Sequence, residues 1–245
     1  MTVKNRLRLA GVAVGVTLAA ASSTGASILF DDFNADEGHF TTAPNISGSN
    51  INIATTSTAD RVTGSNYEGA GHEQIVLNMT TSGATTRLRF LSGGGTPASN
   101  LSFATTSGTD GWIGLAMKTT SPNWNIQLWL EGQENNGSVP KTLTADGAWH
   151  VYEWNLDDQS GGADGWGAVA GIVAGDADVE NGSYTIDSLI FRHNAAPATA
   201  TFDMDFVAKN ENGSIANLVP EPGSAGLLGL AGLALGTARR PRSRR

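Results

Sequence analysis

Apolar and polar residues alternate with a period of two along much of this chain, and no stretch between residues 27 and 217 sustains a 3.6-residue apolar period. The clearest run is Trp124–Glu131, where Trp124, Ile126, Leu128 and Leu130 alternate with Asn125, Gln127, Trp129 and Glu131. Gln74–Thr80 sets Ile75, Leu77 and Met79 on one face, and Thr86–Leu91 sets Leu88 and Phe90 against Arg87 and Arg89. Strands are also expected at Ile28–Phe33, Trp112–Lys118, Ala148–Leu156, Val169–Val173, Tyr184–Arg192 and Thr201–Lys209. Asp110-Gly111 and Asp146-Gly147 supply turn signals ahead of two of them. Short strands separated by Gly, Asn and Asp turns predict an all-β fold, a single antiparallel β-sandwich spanning residues 27–209. Uneven strand spacing and the lack of a Cys-Trp-Cys framework favour a jelly roll among sandwiches.

The two ends follow a different pattern. Lys4, Arg6 and Arg8 precede an apolar run at Leu9–Ala21, and Thr24-Gly25-Ala26 offers small residues for cleavage, so residues 1–26 read as a signal peptide, an N-terminal signal helix. Residues 210–217 form a polar linker. Beyond it, residues 218–245 contain Pro220-Glu221-Pro222, a short hydrophobic helix at Ala225–Ala238, and a tail from Arg239 to Arg245 with five arginines. That apolar run is shorter than the roughly 20 residues a spanning helix needs. The positive-inside rule places the Arg cluster on the cytoplasmic side and the domain outside. A plain membrane anchor shares this topology and differs only in whether the tail is removed.

The C-terminal segment resembles the PEP-CTERM sorting signal of bacteria that make an exopolysaccharide matrix. The resemblance implies that exosortase, a membrane protease-transpeptidase, recognises Pro220, Glu221 and Pro222, after signal peptidase has acted at the other end. It implies an exported protein of the outer cell envelope or extracellular matrix, held at first in the inner membrane with its domain on the periplasmic side. Trp149–Asp158, Tyr184–Phe191 and Phe202–Ala208 look like the exported jelly-roll domains of planctomycete-type PEP-CTERM proteins, themselves distantly similar to carbohydrate-binding modules. This second likeness covers about a third of the exported region.

Charge sharpens the picture. The whole chain carries a formal charge of −8. Without the two terminal segments, seven basic residues face 22 acidic ones, for a formal charge near −15. A surface so acidic argues against nucleic acid as a partner and suits cations or neutral sugars. The absence of cysteine removes disulfides, catalytic thiolates and zinc-thiolate sites together.

The family likeness also implies a structural calcium ion between the first and last strands. By position, Asp32 and Asp205 match it best, with Asp31, Asp36 and Glu37 as further oxygen donors, and the alternative is that these are solvated acids on strand faces. The stretch Asp176–Gly182 echoes half an EF-hand loop but lacks its glycine and its bidentate Glu, and reads as a turn. Trp129, on the polar side of its strand beside Gln127 and Asn125, is a natural platform for a sugar ring. Arg87 and Arg89 could share that face, although a loop over Trp129 would make it a packing residue.

Catalytic signatures are weak. His39, His72, His150 and His193 are isolated, no G-x-S-x-G elbow is present, and Gly93–Gly95 lacks the Lys and helix of a phosphate loop. The pairs Glu68/Glu73 and Asp157/Asp158 could serve a glycosidase only at a defined separation. The reading is a non-catalytic exported protein that associates with polysaccharide. Two alternatives stay open: a jelly-roll polysaccharide lyase or glycoside hydrolase, for example through His150 and Tyr152, and a purely structural matrix protein. A closed core around Tyr152 and Trp154 would count against the lyase.

Overall fold

The computed structural model describes residues 27–219, apart from 42, 94–99, 107, 133–135, 159–161, 167–178 and 180–181. The signal peptide, the sorting tripeptide with its apolar run and Arg tail, the expected strand Val169–Val173, and most of Asp176–Gly182 lie outside these residues. Among the described residues, no helix is long and apolar enough to cross a membrane.

The described residues form an antiparallel β-sandwich. Its strands are β1 (Ser27–Asp31), β2 (Thr58–Val62), β3 (His72–Asn78), β4 (Thr86–Leu91), β5 (Leu101–Thr105) and β6 (Trp112–Thr119). They continue with β7 (Asn125–Glu131), β8 (Asn136–Gly137), β9 (Lys141–Thr142), β10 (Trp149–Asn155), β11 (Gly182–His193) and β12 (Thr199–Asn210). One sheet has the order β10-β6-β12-β3-β2 with β1 also on β12; the other has β4-β11-β7-β8 with β5 on β11 and β9 on β7.

Two long strands organise the molecule. β12 pairs with β6 along one edge, and with β3 and then β1 along the other. β11 does the same in the second sheet, with β7 on one edge and β4 and β5 on the other. The chain crosses repeatedly between sheets, so each inner face is built from residues distant in sequence. Ile75, Leu77, Leu88, Phe90, Ile126, Leu128, Leu130, Phe191, Phe202 and Met204 meet there in one continuous core. These are the positions that period-two alternation assigns inward, because successive side chains in a strand point to opposite faces.

The glycines of both Asp-Gly signals take a left-handed backbone just before a strand: Gly111 has φ of 70° and Gly147, in a bend, φ of 75°, a state that side chains with a Cβ resist. A Cβ on Gly111 would also lie 2.2 Å from the Asn210 carbonyl oxygen, so the chain here passes close against the end of β12.

The outer face of the first sheet is not bare. After β12, Ser214 caps a 3-10 turn, Ile215–Leu218, and Ile215 packs with Phe206, Ala116 and Ala208. Tyr67, Trp112 and Trp149 surround this second cluster. Trp154 and Trp166 are fully buried in the main core.

Candidate functional site

The outer face of the second sheet gathers the residues that the alternation of β4 and β7 points outward. β11 lies between these two strands and sets the register. Arg192 is opposite Arg87 on one side and Asn125 on the other. Ile190 lies between Arg89 and Gln127, and Ser188 between Leu91 and Trp129. Arg87, Arg89, Asn125, Gln127 and Trp129 therefore share one face, in three neighbouring strands.

Their environments differ. Arg89 is half-buried and grips Asp187: its Nη2 donates to both carboxylate oxygens at 2.8 and 2.7 Å, and its Nε donates at 3.1 Å. Ser188 adds its hydroxyl to Asp187 Oδ2 at 2.6 Å. The pair forms the floor of a cavity of about 320 Å³, which is also lined by Ser47, Asn100, Glu131 and Leu91, with Ile46 at its rim. Ile46 is 62% exposed. A charged but internally neutralised floor, several hydroxyl-sized hydrogen-bonding groups and two apolar contacts make a mixed lining suited to a polar, neutral ligand.

Trp129 and Gln127 are corrections to the expected platform. Trp129 is only 4% exposed and Gln127 only 2%, so neither presents a surface to a ligand. Gln127 instead donates through Nε2 to the Ser138 carbonyl at 2.7 Å, while the Ser138 hydroxyl accepts the Leu128 N–H at 2.8 Å. β7 is thus tied to the segment after β8 at the very positions expected to be open. Alternation fixes the face on which a side chain stands, but not what packs over it. Asn125 is half-buried, and its Oδ1 accepts the Thr142 hydroxyl from β9 at 2.8 Å.

Four of the acids expected to hold calcium, Asp31, Asp32, Asp36 and Asp205, accept hydrogen bonds within the protein. Asp32 accepts the Asn34 N–H at 3.0 Å and Asp36 accepts the Gly38 N–H at 2.9 Å, each closing its own turn. Asp31 is buried, and its carboxylate accepts the His39 N–H and contacts His39 Nδ1 at 3.0 Å. Burial pushes the Asp31 carboxyl up, partly offset by His39. Asp205 accepts backbone N–H groups of Tyr67, Glu68 and Phe206. Asp32 and Asp205 share no partner, and among the described residues no three His, Asp or Glu side chains converge as a metal-holding group. Glu73 is fully buried with neither carboxyl oxygen hydrogen-bonded.

The candidate catalytic pairs fare no better. Tyr152 is buried in the main core beside Trp154, and its hydroxyl accepts the Thr144 N–H at 2.7 Å. His150 is held by Asp146 at 3.0 Å at the end of the strand. Asp157 is spent on the N–H groups of Asp110 and Gly111. The closed core around Tyr152 and Trp154 counts against a lyase.

Alternation in β4 pointed to Arg89, but Asp187, Asn100 and Ser47 were not singled out. β11 carries a bulge between Ile186 and Ser188 that changes the phase of the strand, so Asp187 cannot be placed by counting. Arg192 was within reach, since Ser188, Ile190 and Arg192 alternate with Leu189 and Phe191.

No protein-family model matches the chain, and neither does the sequence of any curated protein. Among solved structures, the family 11 carbohydrate-binding module of a cellulosomal cellulase of Clostridium thermocellum is similar at 12% identity and a TM-score of 0.39, covering 79% of this chain and 98% of that one. The family 30 module of another cellulosomal cellulase of Clostridium thermocellum is similar at 13% identity and a TM-score of 0.43, covering 76% and 97%. An exo-β-agarase is similar at 11% identity and a TM-score of 0.43, covering 74% of this chain and 24% of the agarase chain. The structures to which this chain is similar thus include β-sandwich carbohydrate-binding modules.

Proposed function

We propose that this is a non-catalytic, exported protein, sorted to the outer envelope or matrix through Pro220-Glu221-Pro222, that binds polysaccharide on the outer face of the β4-β11-β7 sheet. The observation that carries the binding part is the cavity built on the Arg89–Asp187 pair, with Glu131, Asn100 and Ser47 at its sides and Leu91 and Ile46 as apolar contacts. Sugar rings present hydroxyls that both donate and accept, together with apolar C–H faces, and this wall offers partners for each. The acidic domain, with its signal peptide and sorting segment, supports the destination.

Glycan-array binding by the exported protein tests the reading. Glu131 reaches the cavity from the end of β7 and is only half-buried, so Glu131→Ala should weaken the best glycan by roughly tenfold, the worth of one charge-assisted hydrogen bond, without lowering the melting temperature. Failure to bind any glycan would leave a purely structural matrix protein. Mass spectrometry of separated cell fractions should find a mature protein beginning after Ala26. A cytosolic protein that retains both Met1 and Arg245 would overturn the export reading.

A further inference from the structure

The floor of the cavity over Arg89 and Asp187 is neutral, but its wall is not. Nε and Nη2 of Arg89 engage both carboxylate oxygens of Asp187, and the Ser188 hydroxyl adds a bond to Oδ2, so these two charges cancel. The third charged residue of the described lining is Glu131. Among the described residues, no hydrogen bond or ion pair meets its carboxylate. The other polar residues of the described lining, Ser47, Ser92 and Asn100, carry no charge, which leaves a surplus negative charge in the cavity.

Glu131 ends β7 on the outward phase shared by Asn125, Gln127 and Trp129, and it is half-buried. Its backbone is pinned, because Thr185 of β11 lies opposite and donates its hydroxyl to the Glu131 carbonyl at 3.2 Å. The carboxylate is therefore held at the cavity wall while remaining available to a ligand. Such a group favours a cation. Calcium takes six to eight oxygens, and with Asp187 committed to Arg89 the described wall supplies too few. An ammonium asks for less: the carboxylate accepts one charge-assisted bond, and the Ser47 hydroxyl oxygen is a neutral acceptor in the same lining.

We propose that the sugar held here is an amino sugar whose free ammonium donates to Glu131 while its neutral ring lies over Arg89–Asp187 against Leu91 and Ile46. The polymer bound at this face is then a cationic one. This rests on the polysaccharide reading above and names its substrate class. The charge of the domain favours the same class: with 22 acidic and seven basic residues between the terminal segments, its field attracts a cationic chain and repels uronates and sulfates.

The test uses the full-length protein with a β-linked oligoglucose and two oligomers that each differ from it in one substituent, an oligoglucosamine with its amines protonated and an oligoglucuronate. The wild type should bind the oligoglucosamine roughly tenfold more tightly than the oligoglucose, as one charge-assisted hydrogen bond provides, and the oligoglucuronate most weakly. Glu131→Gln keeps the shape, removes the charge and should erase the preference, and Glu131→Asp should restore part of it. Asp60→Asn controls for the general field, because Asp60 is exposed on β2 in the other sheet, and this variant should keep the preference. Unchanged melting temperatures would show that the variants fold. A preference lost equally in Asp60→Asn and Glu131→Gln would belong to the field and overturn the subsite. Oligoglucose or oligoglucuronate bound as tightly as oligoglucosamine overturns the subsite and leaves the polysaccharide reading standing. Glucosamine hydrochloride bound by the wild type and not by Glu131→Gln, with no oligomer bound at all, keeps the subsite and overturns the polysaccharide reading. Binding of neither amine-bearing probe overturns the subsite outright.

Discussion

Glu73→Gln should stabilise the protein at alkaline pH and remove most of the fall in stability expected of the wild type between about pH 4.5 and 8. Glu73 stands on the core-facing side of β3, in phase with Ile75 and Leu77, fully buried and with both carboxyl oxygens lacking hydrogen-bond partners. Burial pushes its carboxyl from an ordinary 4.5 up to about 8, and the negative charges of Glu37, Asp60 and Asp31 act in the same direction. Between those two values the unfolded chain has released the proton while the folded protein still holds it. The folded state then binds more protons, so stability decreases as pH rises; it is full below the unfolded value and lost by the folded one. Each unit is worth about 1.4 kcal/mol, so the window spans roughly 4 to 5 kcal/mol as an upper bound. For a domain of this size that corresponds to a melting shift of roughly 10 °C.

Gln cannot ionise, and its amide fills nearly the same volume. The variant and the wild type should therefore melt at similar temperatures near pH 4 and diverge steadily toward pH 9. Parallel melting curves across that range would overturn the account. Calcium supplies a second discriminating measurement. A cation drawing on the oxygens of Glu73 would hold the carboxyl ionised, so excess calcium chloride that abolished the wild-type slope would replace the protonated carboxyl with a metal ligand. A slope unaltered by calcium or by chelator supports the buried proton.

Glu73 also shows where sequence reading succeeds and where it stops. Extending the Ile75-Leu77-Met79 alternation back by one step places Glu73 inward, so its face was legible. Its lack of a partner was not, because that depends on β2 and the segment after β1, which arrive from elsewhere in the chain. β4 was legible to the residue, since Thr86–Leu91 alternates cleanly between core and surface. β5 was missed although Leu101, Phe103 and Thr105 alternate inward, because its Ser, Thr and Gly neighbours read as loop. β8 and β9, of two residues each, carry no measurable period. The shared face of Arg87, Arg89, Asn125, Gln127 and Trp129 needed β11 to join β4 and β7, and sheet neighbours are not written in any one strand. Burial of Trp129 and the pairing of Asp187 with Arg89 belong to the same class: both are set by contacts across the fold rather than along it.

Asp205→Ala should cost roughly 3 kcal/mol or more, a larger loss than truncation of the other expected calcium ligands, because three backbone groups depend on this one carboxylate. Asp205 is fully buried. Its Oδ2 accepts the N–H groups of Tyr67 and Glu68 at 3.0 and 3.1 Å, and its Oδ1 accepts that of Phe206 at 2.8 Å. The register of β12 against β6 slips between Asp205 and Ala208, and Phe206 has φ of 52°, a region that bulky side chains rarely enter. The carboxylate therefore clamps the bulge from within while holding the loop before β3, whose Tyr67 ring packs against Phe206 at 6.1 Å. Alanine leaves three N–H donors without an acceptor, and a melting temperature lower by roughly 6 to 12 °C is expected. Asp205→Asn keeps one acceptor oxygen and should fall between. Burial outweighs these hydrogen bonds and raises the Asp205 carboxyl to about 6. By the same linkage its contribution to the wild-type pH slope runs from about 3.8 to about 6 and then ends. The slope between about pH 6 and 8 then belongs to Glu73, so Asp205→Ala should lower the whole curve and leave that upper segment intact. An Asp205→Ala protein that melts with the wild type would show that the bulge holds without its clamp, and one whose deficit vanishes in chelator would return Asp205 to the role of a metal ligand.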